Sequence, residues 1–198
     1  MSTFIGSRKD FTIKYGPYIN TITEGTGILA GTLIAQAILE SSGKYNGVWS
    51  VGGSGLSRKA NNFFGIKCGP NWKGATYNIN TGEYSAGGTY YVQQNACFRK
   101  YASVEDSMKD YINFLKVNKR YANAGVFSAK TVKEQAQALK NAGYATAPNY
   151  AKTVYDVYLS ISGYLTEEKK KRITIKKLIP VAITGAAMYI LISKYLKK

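Results

Sequence analysis

The sequence predicts an α+β fold: a helical body, a small β-hairpin lobe inserted into it, and a C-terminal transmembrane helix. Three observations carry this. Apolar residues recur at three-to-four-residue spacing on both sides of a central stretch. That stretch, Ser50 to Tyr101, is rich in Gly and Asn, with Tyr, Val and Thr alternating over Gly88–Gln93. After Gly163 the composition turns abruptly to a charged run and then to Leu178–Ser193, which holds no charged residue. Helices, lobe and helices in that order leave a cleft between lobe and body, the natural place for a site.

The first clear helical pattern runs from about Ile28 to Ser42. Leu29, Leu33, Ile34, Ala37 and Ile38 make its buried stripe, and Gly43 is read as its stop. On another face Thr32, Gln36 and Glu40 follow at four-residue steps, so a polar line climbs an apolar helix and ends at Glu40. In the lobe, Asn80-Thr81-Gly82 and Gly87-Gly88 read as turns. Ser103 with Asp106 signals the cap of a helix to about Lys119, with Met108, Ile112 and Leu115 inward. Thr131 with Glu134 starts another that Gly143 closes. Pro148 sits near the first turn of a third, which carries Tyr150, Val154, Val157, Tyr158 and Ile161 and ends at Gly163.

These boundaries divide the chain into a folded domain at 1–165, a basic linker at 166–177, a transmembrane helix at 178–193 and a basic end at 194–198. At about 1.5 Å per residue the apolar segment reaches roughly 24 Å, short of a ~30 Å hydrocarbon core. Lys176, Lys177, Lys194, Lys197 and Lys198 can snorkel to cover the difference. A core or interfacial helix is the alternative; basic residues at both ends favour a span.

The chain has 198 residues and no histidine, and its only two cysteines are Cys68 and Cys97. A His-based triad, a Cys–His dyad and a conventional zinc site are excluded, and no cofactor or metal is expected. Chemistry must come from hydroxyls, lysines, tyrosines or the 11 carboxylates. A Cys68–Cys97 bridge would close a loop of roughly 30 residues and stabilise the fold by ~3.5 kcal/mol. It would imply an oxidising destination; two buried free thiols are the alternative. The first eighteen residues lack the apolar core of a signal peptide, so export by an ordinary cleaved signal is not expected.

Of the net charge of +16, residues 167–198 carry +7 and the rest +9. Such a surface concentrates polyanions, including nucleic acid, anionic lipid and acidic cell wall. Nucleic acid is not an expected partner, because residues 1–166 hold no helix-localised basic run and no recognised nucleic-acid motif.

Glu40 stands in the last turn of an apolar helix, where the negative end of the macrodipole disfavours an anion. Burial acts in the same direction. A carboxylic acid kept protonated near neutral pH is what protonation of a glycosidic oxygen requires. On position alone, an ordinary solvated glutamate at a helix end is the simpler reading.

Three blocks change that balance: Leu-Ile-Ala-Gln-Ala-Ile-Leu-Glu-Ser-Ser-Gly at 33–43, Asn-Asn-Phe-Phe-Gly-Ile-Lys at 61–67, and Gly-Tyr-Ala-Thr-Ala-Pro-Asn-Tyr-Ala at 143–151. In order and spacing they resemble the motifs of glycoside hydrolase family 73, over about residues 3–165. The resemblance implies a lysozyme-like fold and cleavage of the β-1,4 bond between N-acetylglucosamine and N-acetylmuramic acid in peptidoglycan, with Glu40 as general acid. It also implies an acidic residue on the lobe. Glu83 is the only carboxylate between Glu40 and Glu105, as water activator or oxocarbenium stabiliser; an exposed hairpin glutamate is the alternative. Help from the substrate's own acetamido group leaves inversion and retention both open.

By the same resemblance Tyr144 is a catalytic, sugar-facing residue, and Gln36, Asn62, Phe64 and Tyr150 bind substrate or shape the cleft floor. Two departures matter. Ala147 replaces an aspartate of the third block, and Ser41-Ser42-Gly43-Lys44-Tyr45 replaces the usual Ser-Gly-Trp-Gly after the acid. Competing readings are an N-acetylmuramidase or lytic transglycosylase, and a wall-binding protein whose catalytic apparatus has decayed.

The expected partners are peptidoglycan strands and, through the tail, a lipid membrane. A membrane-associated wall hydrolase without a signal peptide resembles a phage-type lysis or virion protein. Six basic residues precede the apolar segment and three follow it, which puts the domain on the cytoplasmic side. A virion membrane or a pore-forming partner would reconcile that topology with access to the wall.

Overall fold

The computed structural model describes residues 3–84 and 89–178. Its elements in chain order are α1 (Arg8–Thr23), α2 (Ala30–Ser41), β1 (Gly43–Tyr45), β2 (Val48–Ser50), α3 (Gly55–Ala60), β3 (Thr76–Tyr84), β4 (Tyr90–Arg99), α4 (Val104–Val117), α5 (Lys119–Asn123), α6 (Val132–Asn141) and α7 (Tyr150–Leu178). This is the α+β arrangement read from the sequence, with the β3–β4 hairpin as the lobe.

Helix α2 is the axis of the body. Leu33, Ile34, Ala35, Ala37 and Ile38 are wholly buried, and so are the polar Thr32 and Gln36. A helix apolar around most of its circumference has to be enclosed from several sides; α1, α6 and α7 pack against it. The polar line of Thr32, Gln36 and Glu40 therefore runs inside the protein until it emerges at Glu40. At its start, Leu29 has no side-chain cap. Its backbone N–H instead donates to Oε1 of Gln135 at 2.9 Å, while Nε2 of Gln135 donates to the carbonyls of Gly27 and Val126 at 2.9 and 2.7 Å.

Gly43 is not the helix stop. The helix ends at Ser41 with Ser42 already extended, and Gly43 is needed for close approach, since a Cβ there would lie 2.7 Å from the backbone N of Ser54. Gly43 pairs with Ser50 in the short β1–β2 hairpin, turned by Asn46 and Gly47, both at positive φ (47° and 81°). Asn-Gly between two strands signals such a turn.

Helix α1 has little apolar periodicity in sequence, yet it forms. Ser7 caps it by accepting from the N–H of Asp10, and Phe11, Tyr15 and Ile19 enter the core. The caps expected further on are present, with Ser103 accepting from the N–H of Asp106 and Thr131 with Glu134 forming a full capping box.

Two expectations in the lobe and tail are corrected. Asn80-Thr81-Gly82 is not a turn: β3 continues through it with a register shift between Ile79 and Thr81. Oδ1 of Asn80 there accepts from the N–H of Asn95 at 2.9 Å, with Asn95 at φ 52°. Nor does Gly163 end the last helix, because α7 passes through it to Leu178 and turns the expected linker at 166–177 into helix. Gly costs a helix about 1 kcal/mol without forbidding it, and Thr166-Glu-Glu-Lys-Lys-Lys-Arg is rich in good helix formers. Leu165, beyond Gly163, still packs on the core beside Gly16.

Among the described residues no helix is long and apolar enough to cross a membrane. The transmembrane segment expected at 178–193 lies, apart from Leu178, outside the described residues.

Candidate active site

Residues 61–67 form the floor of the cleft. Asn61 and Gly65 take left-handed backbone, φ 49° and 64°. The buried side chain of Asn62 holds the turn together: Nδ2 donates to the carbonyls of Ile66 and Arg99, both at 2.9 Å, and Oδ1 accepts from the N–H of Ile66 at 3.1 Å. The next residues pair with β4, Cys68 N–H to Cys97 carbonyl at 2.9 Å and Arg99 N–H to Ile66 carbonyl at 3.0 Å. A Cys68–Cys97 disulfide, Cα–Cα 5.4 Å, lies across this junction. Floor and lobe are thus one hydrogen-bonded, covalently stapled unit.

Between this unit and the helical body is a cleft of about 1070 Å³, reached by Glu40, Phe64, Thr81, Asn113, Tyr144 and Ala147. Glu40 comes to it from the end of α2. Its Oε1 accepts from the hydroxyl of Tyr150 at 3.0 Å. Its Oε2 lies on the side of Gly65, where a Cβ would be 3.9 Å away. Burial raises the carboxyl pKa from 4.5 to about 7, against the lowering effect of the Tyr150 hydrogen bond. Near neutral pH the group is therefore shared between acid and carboxylate, the condition for giving a proton and taking it back.

Behind Glu40 a chain of donors runs inward. The hydroxyl of Tyr150 accepts from Nε2 of Gln36 at 2.8 Å, and Oε1 of Gln36 accepts from the hydroxyl of Tyr111. Tyr111 stacks on Phe64 with ring centroids 4.2 Å apart. Tyr144 stacks on Tyr150 at 5.8 Å and donates its hydroxyl to the carbonyl of Phe64 at 2.8 Å.

The substrate-contact roles expected for several residues are corrected by burial. Gln36 is wholly buried and Asn62 is 1% exposed, with polar groups already engaged by protein; Tyr150, at 5%, lies beneath Glu40. They hold the Glu40 carboxyl and the floor in place. Phe64 lines the cleft but is mostly core, whereas the half-buried Tyr144 does face it. Glu83 is on β3 opposite Tyr91, two residues beyond the cleft-lining Thr81. Ala147 is exposed at the edge of the cleft just before α7, and its carbonyl accepts from the N–H of Tyr150 at 3.1 Å.

The sequence reading missed a second polar group in the cleft. Oδ2 of Asp110 accepts from Nη1 of Arg99 at 2.8 Å and from the hydroxyl of Tyr101 at 2.6 Å. The Arg99 guanidinium lies 4.6 Å from the Trp72 ring centroid. Both members of the ion pair are about one-seventh exposed, at 14% and 15%. Committed in this way, Asp110 is a structural partner of Arg99 and Tyr101. Its place on α4 could be read from sequence; its partners, far away along the chain, could not. Tyr111 was missed for the same reason.

A family model described as mannosyl-glycoprotein endo-beta-N-acetylglucosaminidase matches residues 16–162. This chain belongs to the glucosaminidase family. The match spans the second half of α1, α2 with Glu40, the floor, the lobe and α7 as far as Ser162. Peptidoglycan hydrolase FlgJ of Pseudomonas aeruginosa is 37% identical over 82% of this chain and 39% of its own length. Exo-glucosaminidase LytG of Bacillus subtilis is 38% identical over 74% of this chain and 49% of its own. The chain thus spans less than half the length of either relative. Among solved structures, a peptidoglycan hydrolase mutant from Sphingomonas sp. A1 superposes with TM-score 0.64 at 29% identity, over 80% of this chain and 99% of that one. The lysozyme-like α+β fold of this glucosaminidase-family chain is shared with it.

Proposed function

We propose that this chain hydrolyses the β-1,4 bonds between N-acetylglucosamine and N-acetylmuramic acid in bacterial peptidoglycan, with Glu40 as general acid. The observation that carries the reading is a carboxyl that opens on the cleft from the end of α2, held by the Tyr150 hydroxyl and pushed up by burial to about 7. Family membership and the names of the relatives, both peptidoglycan- or glucosaminide-directed, support it. The acid gives its proton to the glycosidic oxygen as the bond from that oxygen to the anomeric carbon breaks, and water supplies the new hydroxyl. Glu83, on the lobe strand that brings Thr81 to the cleft, is the second carboxylate of the proposal and takes the water's proton or faces the oxocarbenium ion. Tyr144 lines the sugar path. Mass spectrometry of fragments released from purified peptidoglycan tests this. Products with N-acetylglucosamine at the reducing end support it; N-acetylmuramic acid ends, anhydro ends or no release overturn it.

The tail belongs to the same reading. Residues 178–193, uncharged and flanked by lysines, anchor the chain in a lipid membrane, as a phage-type lysis or virion component would require. Lipid burial resists high salt, whereas attachment by basic residues alone is screened over about 3 Å at 1 M salt. Flotation of the full chain with vesicles at high salt is the expected outcome. Recovery in the soluble fraction would withdraw the anchor.

A further inference from the structure

We propose that Tyr111 and Gln36 are positioning residues: through Tyr150 they place the acidic proton of Glu40 on Oε2, the oxygen on the cleft side. The inference rests on the reading of Glu40 as the acid, and it begins from the direction of the donors. Tyr111 and Gln36 are wholly buried, and Tyr150 nearly so. Tyr111 gives its hydroxyl proton to Oε1 of Gln36. That fixes which way round the Gln36 amide lies, so Nε2 faces Tyr150 and donates to its oxygen at 2.8 Å. Tyr150, receiving one proton there, sends its own to Oε1 of Glu40 at 3.0 Å.

An oxygen that accepts a proton from Tyr150 is the carbonyl-like oxygen of the neutral acid. The acidic proton then belongs to Oε2, beside Gly65 and the open cleft. The reversed arrangement can be written as well. With the amide turned over, Tyr150 donates to Gln36, and neutral Glu40 points its proton inward from Oε1, away from substrate. That arrangement leaves the Tyr111 proton with no acceptor in a buried site, which disfavours it. The Tyr111 hydroxyl is thus what keeps the inward orientation rare.

Glu40 is faced by Tyr150 from α7, Tyr111 from α4 and Tyr144 from the segment before α7. Burial, and the charge on Glu40, hold all three hydroxyls well above their ordinary value, so they stay neutral while Glu40 titrates. No charged side chain contributes to the shift of Glu40.

Tyr111→Phe keeps the ring on Phe64 and removes no direct hydrogen-bond partner of Glu40 or Tyr150. The neutral acid then gains the inward orientation as an extra state. The expected result has two parts that run against each other. The Glu40 titration and the basic limb of kcat move to higher pH, so more of the acid is protonated, yet kcat on the protonated plateau falls by roughly tenfold with KM unchanged, as it does when about nine-tenths of that acid points inward. Gln36→Met should do the same, and the double variant should be no worse than the poorer single one, since both break a single chain.

The Glu40 titration is read in the full chain by NMR of glutamate 13C-carboxyls, assigned with Glu40→Gln, so it reports on the chain even without turnover. An unmoved or lowered titration in Tyr111→Phe, or additive losses in the double variant, overturns the proposal. An inactive wild type with a titration that rises in both variants overturns the hydrolase reading instead.

Discussion

Glu40→Gln should do two opposite things, lowering activity while raising stability at alkaline pH. The amide keeps the shape of the acid and an oxygen for the Tyr150 hydroxyl, but it has no proton to give, so wall hydrolysis should fall by about 10²–10⁴-fold. Its stability effect follows from linkage. Burial raises the folded carboxyl pKa from 4.5 to about 7, so the folded state binds the proton more tightly than the unfolded one. The associated stability is fully present below 4.5 and lost as pH rises through 7, where the ion must be held in a site that resists it. At about 1.36 kcal/mol per unit, the full loss is roughly 3 kcal/mol, of which about 2.5 kcal/mol falls between pH 5 and 8.5. A glutamine suffers none of it. Urea unfolding of wild type and variant at both pH values gives the difference directly, with every other titrating group cancelling. The variant should gain on wild type by about 2–3 kcal/mol across that interval. A constant gap between the two proteins would mean that the Glu40 carboxyl is not shifted, and the argument for it as a neutral-pH acid would go with it.

Glu83→Gln should cost activity less than Glu40→Gln and to an extent that depends on substrate; equal losses in digestion assays would argue for a rigid two-carboxylate site. Reduction should lower the melting temperature of protein made under oxidising conditions, by the equivalent of ~3.5 kcal/mol, and Cys68→Ser with Cys97→Ser should be insensitive to reductant. Two free thiols by mass measurement in such protein would reject the bridge. Asp110→Asn leaves Arg99 without its counter-charge in a site where both are largely buried, and should destabilise by about 3 kcal/mol in denaturant titration; a change under 0.5 kcal/mol, about the effect of an ordinary surface substitution, would show the pair to be solvated. Gln135→Ala strips partners from the Leu29 N–H and two carbonyls and should cost about 3 kcal/mol in the same assay.

Local signals determined much of the architecture. Caps at Ser103 and Thr131 satisfy N–H groups within a few residues, so they are legible wherever they occur. The apolar run of α2 made it a buried helix with Glu40 at its end, and the turn chemistry of Asn46-Gly47 suits the β1–β2 hairpin. Where a rule tolerates exceptions the reading slipped. Gly163 sits inside α7 because one glycine costs little among good helix formers, and Asn80 stays in β3 because it faces the extra residue of β4, its side chain accepting from the N–H of Asn95 across the hairpin.

Glu40 could be singled out through the motif blocks, and its place at the end of an apolar helix is as the sequence implied, but its environment was not legible. Gln36, Asn62 and Tyr150 looked like groups offered to a sugar. Only the tertiary structure shows them turned inward: Gln36 and Tyr150 link Tyr111 of α4 to Glu40, and Asn62 ties the floor to Arg99. The physical reason is range. Helix caps and periodicity are contacts between residues a few positions apart, and sequence spacing encodes them. The pKa of Glu40 depends on the water that the whole fold excludes and, in the opposite direction, on a hydroxyl 110 positions away, and those belong to the tertiary structure alone.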